Sequence, residues 1–455
     1  MSTMKAILGL ASVSGALALV APRQDVRGTA TVKVAEPSGT PEHWASGFIY
    51  GFPSNGDGSA SDAIPSDLVE GMGFNYCRAG GAQMANALGW VAGQYEGRFM
   101  SALSNYRTTR EYGGRFTLLM HDLWGADGKQ GDGIKWPGDN GDWTEYDSFL
   151  DTVFGDLKAN DALDGLDIDI WNEPDISGFW DTTQEQYLAT WNRTWHRIRE
   201  ELPGTVITGP STAFTPASDN GWWVNFMAYV DQTNTIPDQW SWHLIGSAAN
   251  VRQSTAGLNY FVDQYGFPEL PIVMNEYGKQ NGEQNPAGAV YFIGQLERAN
   301  TAGLRSNWAS GAELQDLMAN LVVKQDDGTY LPTGEWFVYS YYAETMTGQR
   351  VATTASADEI FEVYATRENG KLKILASVRP NASTGRYDLT LTGLDALGVQ
   401  GDSITVRTLR FDGPDAYTVG SAPTDMGVWD HPVQDNSVTF WVEPQVNTAA
   451  YAFEI

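Results

Sequence analysis

Between residues 45 and 311 the chain alternates short apolar runs, rich in β-branched and aromatic residues, with stretches whose apolar positions recur at helical spacing. The runs are "ASGFIYGF" at 45–52, "FNYCRAGG" at 74–81, "FTLLMHDLWG" at 116–125 and "LDIDIWNEP" at 166–174. They continue as "TVITGPST" at 205–212, "QWSWHLIG" at 239–246, "PIVMNEYG" at 271–278 and "LRSNWASG" at 304–311. Alternating strand and helix signals are what a parallel α/β sheet or barrel produces. The expected helices include 144–159 before the fourth run, 184–202 after it with Pro203-Gly204 as its stop, and 287–299 after the seventh. Eight such units over about 300 residues fit a (β/α)8 TIM barrel, completed by a last helix at 335–346. An open doubly wound sheet would use fewer strands and a Gly-rich phosphate loop, and no such loop follows the first run.

The texture changes at Gly348. From Val351 onward "EIFEVYAT", "KLKILASV", "RYDLTLTG", "SITVRTLR", "SVTFWVEP" and "AAYAFEI" alternate with period two between turn residues, which predicts an antiparallel β-sandwich. The fold class is therefore α/β, a barrel over 45–348 followed by a β-sandwich domain over 349–455. "TATVKVAE" at 29–36, within an N-terminal segment spanning 19–44, is positioned to add a strand to that sandwich.

Residues 1–18 combine Lys5, an apolar run and Ala16-Leu17-Ala18, the pattern of a secretory signal peptide, so the expectation is a secreted, extracellular chain starting near Leu19. Asn192 and Asn381 head N-glycosylation sequons. With 28 basic against 56 acidic residues, the formal charge of −28 disfavours nucleic acid and anionic membranes as partners. No later window is apolar for long enough to span a bilayer, and no protein partner is evident. Cys77 is the single cysteine, which rules out an internal disulfide and a cysteine metal cluster. The five histidines lack ligand spacing, so neither a metal nor a cofactor is expected, and no G-x-S-x-G elbow or phosphate-binding loop is present.

In a barrel of this kind chemistry sits at the C-terminal ends of the strands. Two carboxylates close such ends, Glu173 on the fourth run and Glu276 on the seventh, each behind an asparagine. Retaining glycoside hydrolysis needs such a pair, one carboxyl to protonate the leaving oxygen and one to attack the anomeric carbon, about 5–5.5 Å apart. Glu173 is assigned as acid/base and Glu276 as nucleophile, the charge on Glu276 being expected to lift the Glu173 pKa. Asn172 is placed to donate to the sugar 2-hydroxyl.

"IWNEP" with "VMNEYG" resembles the signature of the clan A glycoside hydrolases, and "GFIYGF", "IDIWNEP" and "ITGPST" with a trailing sandwich resemble glycoside hydrolase family 39, the β-xylosidases and α-iduronidases. The resemblance implies an exo-acting, β-xylosidase-like enzyme with a carbohydrate substrate. It implies that Arg78 holds the nucleophile ionised, and that Trp308 forms an aromatic floor, often followed by a non-proline cis peptide. His121 and Asp122 stand where relatives bind the outermost sugar's hydroxyls, or else form a plain core pair. Trp124, as a stacking surface, and Tyr277, beside Glu276, complete the substrate-binding group. One departure stands out: where many clan members place a tyrosine against the nucleophile, the sixth run reads "SWHLIG", so His243 replaces that contact or the contact is missing. The alternatives are a catalytically silent carbohydrate-binding protein and a transglycosylase on the same fold.

Overall fold

The computed structural model describes residues 25–455 except 85, 128–132, 247–248 and 307–314. Residues 1–18, expected to be a signal peptide, lie outside the described residues, as do Trp308 and the Trp308-Ala309 bond.

A first strand, β1 (Thr29–Gly39), precedes eight parallel strands: β2 (Gly47–Ile49), β3 (Tyr76–Ala79), β4 (Arg115–Leu119), β5 (Leu166–Asp169), β6 (Val206–Thr212), β7 (Gln239–Leu244), β8 (Ile272–Tyr277) and β9 (Ala302–Arg305). They pair in chain order, and β2 pairs with β9 to close the barrel. The strands are buried along nearly their whole length because helices cover the outside and side chains fill the inside, which is why their sequence reads as apolar runs. Helix Thr144–Ala159 turns Tyr146, Phe149, Leu150, Val153, Phe154 and Leu157 inward at helical spacing. Helix Gln184–Glu201 starts where the Thr183 side chain accepts from the Gln186 amide. The closing helix is shorter than its apolar pattern suggests: Gly334–Ser340 is α-helical and Tyr341–Thr345 widens into a π turn.

A small hairpin, β10 (Val322–Lys324) with β11 (Tyr330–Pro332), leads to the second domain. Its strands are β12 (Gln349–Thr354), β13 (Phe361–Glu368), β14 (Lys371–Val378), β15 (Tyr387–Thr392), β16 (Ser403–Phe411), β17 (Thr424–Pro432), β18 (Ser437–Val442) and β19 (Ala450–Glu454). With β1 they form one nine-stranded sheet in the order β17-β16-β19-β14-β13-β12-β1-β15-β18, folded around its own apolar core. Two features differ from a purely antiparallel sandwich. β1 runs parallel to β15, and the two edge strands, β17 and β18, are joined by a short turn. β17 has no sequence signature because all of its residues are exposed or half-exposed, so nothing imposes a period of two.

The sandwich clamps one side of the barrel. Helix Pro286–Ala299, which follows the strand carrying Glu276, is buried along most of its length because β13 and β14 cover its outer face. A Cβ on Gly294 would stand 2.8 Å from Glu362, so only glycine permits this approach. The joint is pinned by a buried ion pair, Arg350 to Glu297 at 2.8 Å, with Arg350 also donating to the Ser38 carbonyl of β1 at 3.0 Å. Tyr342 donates to the same Glu297 carboxylate.

Arg350→Ala strands a buried carboxylate and is expected to cost about 3–5 kcal/mol in urea unfolding. Arg407→Ala removes exposed pairs to Asp425 and Glu454 and is expected to cost less than about 1 kcal/mol.

Candidate active site

Arg78 lies at the end of β3 with none of its surface exposed to solvent. Its guanidinium is fully committed: Nε donates to Asp169 Oδ2 at 3.0 Å, Nη1 to Glu276 Oε1 at 2.8 Å and Nη2 to Asn172 Oδ1 at 2.7 Å. A planar fork with five donors suits such a three-way contact, and a lysine ammonium could not reproduce it. Because Asn172 accepts from Arg78 through Oδ1, its amide nitrogen is turned the other way, as a donor.

Glu276 and Asn275 are neighbours on β8, yet both serve the barrel interior. The pairing shows why: Trp242 faces Met274 while His243 faces Glu276, so Asn275 is an extra residue, a β-bulge. Asn275 Nδ2 donates to Asp169 Oδ2 at 3.1 Å and Ser211 Oγ at 2.7 Å. Glu276 is left with Oε1 on Arg78 and, among the described residues, with Oε2 unpartnered.

Glu173 follows β5 in a left-handed conformation, φ 44°, which costs a non-glycine residue about 1–3 kcal/mol. The Glu173 amide donates to the Ser211 carbonyl at 2.8 Å, and this bond helps hold the turn. Its Oε1 lies 2.9 Å from His243 Nδ1, and the same ring places Nε2 3.7 Å from Glu276 Oε1. One imidazole therefore bonds Glu173 and stands beside Glu276 without a hydrogen bond to it, so His243 occupies the place of the sixth-strand tyrosine but does not reproduce its hydrogen bond to the other carboxyl. Burial pushes His243 below its ordinary pKa against the pull of Glu276, so the ring is neutral at neutral pH.

Burial raises the Glu173 carboxyl to about 7, partly offset by Arg78. Desolvation is the largest cause, and the two carboxyls also repel each other, a mutual effect that raises whichever of them ionises second. Glu276 is also raised by burial and by the charge of Glu173, while the contacting Arg78 pulls it back; His243 adds to that pull only when protonated. The direct cation contact belongs to Glu276 alone and favours its charged form, while Glu173 has no such contact.

The other expected site residues separate into two groups. His121 and Asp122 stand in a short helix, Met120–Trp124, just beyond β4. Burial drives the His121 pKa well down, so its 3.1 Å approach to Asp122 is not an ion pair. Asp122, raised to about 7 by burial, accepts from the Tyr50 hydroxyl and the Ala82 amide. Both His121 nitrogens and Asp122 Oδ1 have no hydrogen-bond partner among the described residues, which leaves polar atoms to meet a ligand.

Trp124 and Tyr277 belong elsewhere. Trp124 is buried against Tyr146 and Phe149, with Nε1 donating to the Lys135 carbonyl, so it is core rather than a stacking surface. Tyr277 turns to the outside of the barrel, where its hydroxyl donates to the Ala45 carbonyl and shares a bond with Tyr339. The pleat sends it to the face opposite Glu276.

Asp169, Ser211 and Tyr50 were missed as site residues. Asp169 carried a signal, a carboxylate on an otherwise apolar, buried strand; Tyr50 and Ser211 carried none. Of the two sequons, Asn192 sits within helix Gln184–Glu201 with Oδ1 buried, while Asn381 is exposed.

No family model matches the chain. The structure of N2152 from Neocallimastix frontalis superposes with a TM-score of 0.73 at 20% identity, covering 94% of this chain and 98% of that one. The GH39 enzyme from Xanthomonas axonopodis pv. citri does so with a TM-score of 0.60 at 12% identity, covering 97% and 99%. The chain has the fold of a family 39, clan A glycoside hydrolase. A curated relative, a 3-O-β-L-arabinopyranosyl-α-L-arabinofuranosidase from Bifidobacterium pseudocatenulatum, is 22% identical over 321 residues, which cover 61% of this chain. The match spans about a third, 32%, of that relative's length.

Glu173 binds its proton more tightly folded than unfolded, where its ordinary value is 4.5. Its contribution to stability is therefore complete below about pH 4.5 and lost as pH rises through about 7. Glu173→Gln is expected to lose less stability than the wild type between pH 5 and pH 8, read by urea unfolding at both.

Proposed function

We propose that the chain is a retaining glycoside hydrolase in which Glu276 is the nucleophile and Glu173 the acid/base. The observation that carries this reading is the asymmetric pair itself: Glu276 on a buried guanidinium with Oε2 unpartnered among the described residues, and Glu173 without a cation contact, its carboxyl raised by burial and bonded to His243.

Glu276 Oε2 attacks the anomeric carbon as the glycosidic C–O bond breaks, and Glu173 gives its proton to the departing oxygen. Water then attacks the anomeric carbon from the face the leaving oxygen vacated, opposite the ester, passing its proton to Glu173 as the bond to Glu276 breaks. The Asn172 amide, oriented by Arg78, donates to the sugar 2-hydroxyl, an interaction that tightens as oxocarbenium character grows. His121 and Asp122 meet outer hydroxyls of the same sugar.

For the substrate, the motif resemblance favours exo cleavage of β-xylosides from plant or microbial polysaccharides, and the relative named for arabinose linkages keeps arabinosides in the panel. Secretion rests on the leader-like residues 1–18, and an N-glycan fits Asn381 better than Asn192. A silent carbohydrate-binding protein would have no use for a complete carboxyl pair, while a transglycosylase would share every step up to the choice of acceptor.

Glu276→Ala is expected to lower turnover of aryl glycosides by at least about 10⁴-fold with the fold unchanged by circular dichroism; retained activity would remove Glu276 from its role. The first product should keep the anomeric configuration of the substrate by NMR, and inversion would contradict the two-step route. With Glu173 protonated only below about pH 7, kcat/KM should fall as pH rises through that value. Glu173→Gln acting on a glycosyl fluoride, which needs no proton, should lose that fall.

A further inference from the structure

Phe214, just past the end of β6, is 60% exposed. Its backbone is nevertheless held from both sides. Asp175 accepts from the Ala213 amide at 2.8 Å and from the Phe214 amide at 3.0 Å. The Phe214 carbonyl accepts from Thr212 Oγ1 at 2.8 Å and from Nε1 of the buried Trp223 at 3.0 Å. Asp175 is half-buried, and burial raises its carboxyl against those two amide bonds. Withdrawing a carboxylate from water to fix a loop is costly, and what this one fixes is an aromatic ring facing solvent.

The position is specific. Asp175 lies two residues past Glu173, and Ser211, three residues before Phe214, accepts the Glu173 amide bond. Phe214 thus stands on the side of the cleft where the acid is. In the reaction proposed above, that is the side of the departing group, because the acid protonates the leaving oxygen. Tyr260 is exposed to a similar degree, but it lies on helix Val251–Tyr265, away from any strand end of the barrel.

We infer that Phe214 is the stacking platform for the leaving-group sugar, its ring meeting the C–H face of the pyranose or furanose unit released by Glu173. This inference rests on the hydrolase reading. An exposed phenyl ring gains from covering its apolar area, and a pinned loop pays little further entropy when the sugar settles on it. Asp175 is then a positioning residue, acting through the loop and touching no sugar. Phe214 recognises a second sugar ring, so the chain prefers glycosides of sugars to those of small alcohols.

The test compares two substrates that share one glycone: xylobiose, which fills the leaving-group position with a sugar, and β-xylosyl fluoride, which leaves it empty. If the wild-type chain prefers another glycone in a fluoride panel, the fluoride and disaccharide of that sugar take their place. Phe214→Ala is expected to lower kcat/KM on the disaccharide roughly tenfold, mostly through KM, and to leave the fluoride unchanged. Phe214→Trp is expected to restore the disaccharide rate. Equal losses on both substrates, or no loss on either, would overturn the inference while leaving the hydrolase reading intact. A wild-type chain inactive on every fluoride and disaccharide would sink the hydrolase reading and this inference with it.

Discussion

A guanidinium with no access to water cannot be left unpaired, and the barrel mouth is organised around that demand. Arg78 binds three oxygens from two other strands, Asp169 and Asn172 on or after β5 and Glu276 on β8. Each partner gains a fixed place from the contact: Asp169 gathers Ser211 and Asn275, Asn172 presents its amide nitrogen, and Glu276 keeps one oxygen unpartnered among the described residues. A buried cluster of this kind is weak evidence for net stability, since desolvation offsets much of the attraction. What it secures is geometry, with charge held where a polar ligand is to be met.

The two carboxyls differ because their surroundings differ. Both lose water, which raises both, yet only Glu276 touches a permanent cation. His243 bonds Glu173 and stands beside Glu276, and burial keeps its imidazole neutral. The second domain contributes from a distance. It buries the helix behind β8 and locks it through Arg350 and Glu297, so the strand that carries Glu276 is backed by a packed interface rather than by solvent.

Much of this was legible in the chain. Eight apolar runs gave the barrel because parallel strands are buried on both faces, and the Asn-Glu pairs at the ends of two of them located the carboxyls. What escaped depended on three-dimensional register. The bulge at Asn275 puts two neighbouring residues to interior use and sends Tyr277 outward, and no one-dimensional pattern encodes it. Trp124 ends its run like a site residue but is swallowed by Tyr146 and Phe149 from a helix that begins twenty residues later. β17 escaped for the opposite reason, an edge strand wet on both faces and free of any hydrophobic period. The Glu173 carboxyl is raised chiefly by desolvation, a property of packing that a sequence does not display, beside the repulsion between the two carboxyls that the Asn-Glu pairs do suggest.

The most direct measurement is to trap the glycosyl-enzyme. A 2-deoxy-2-fluoro glycoside with a reactive leaving group slows release more than attachment, and peptide mass mapping then locates the sugar. The adduct is expected on the peptide bearing Glu276, bonded to its carboxylate and absent from Glu276→Ala. An adduct on Glu173 or another carboxylate, or rapid turnover with inversion and no adduct, would contradict the division of labour set by Arg78.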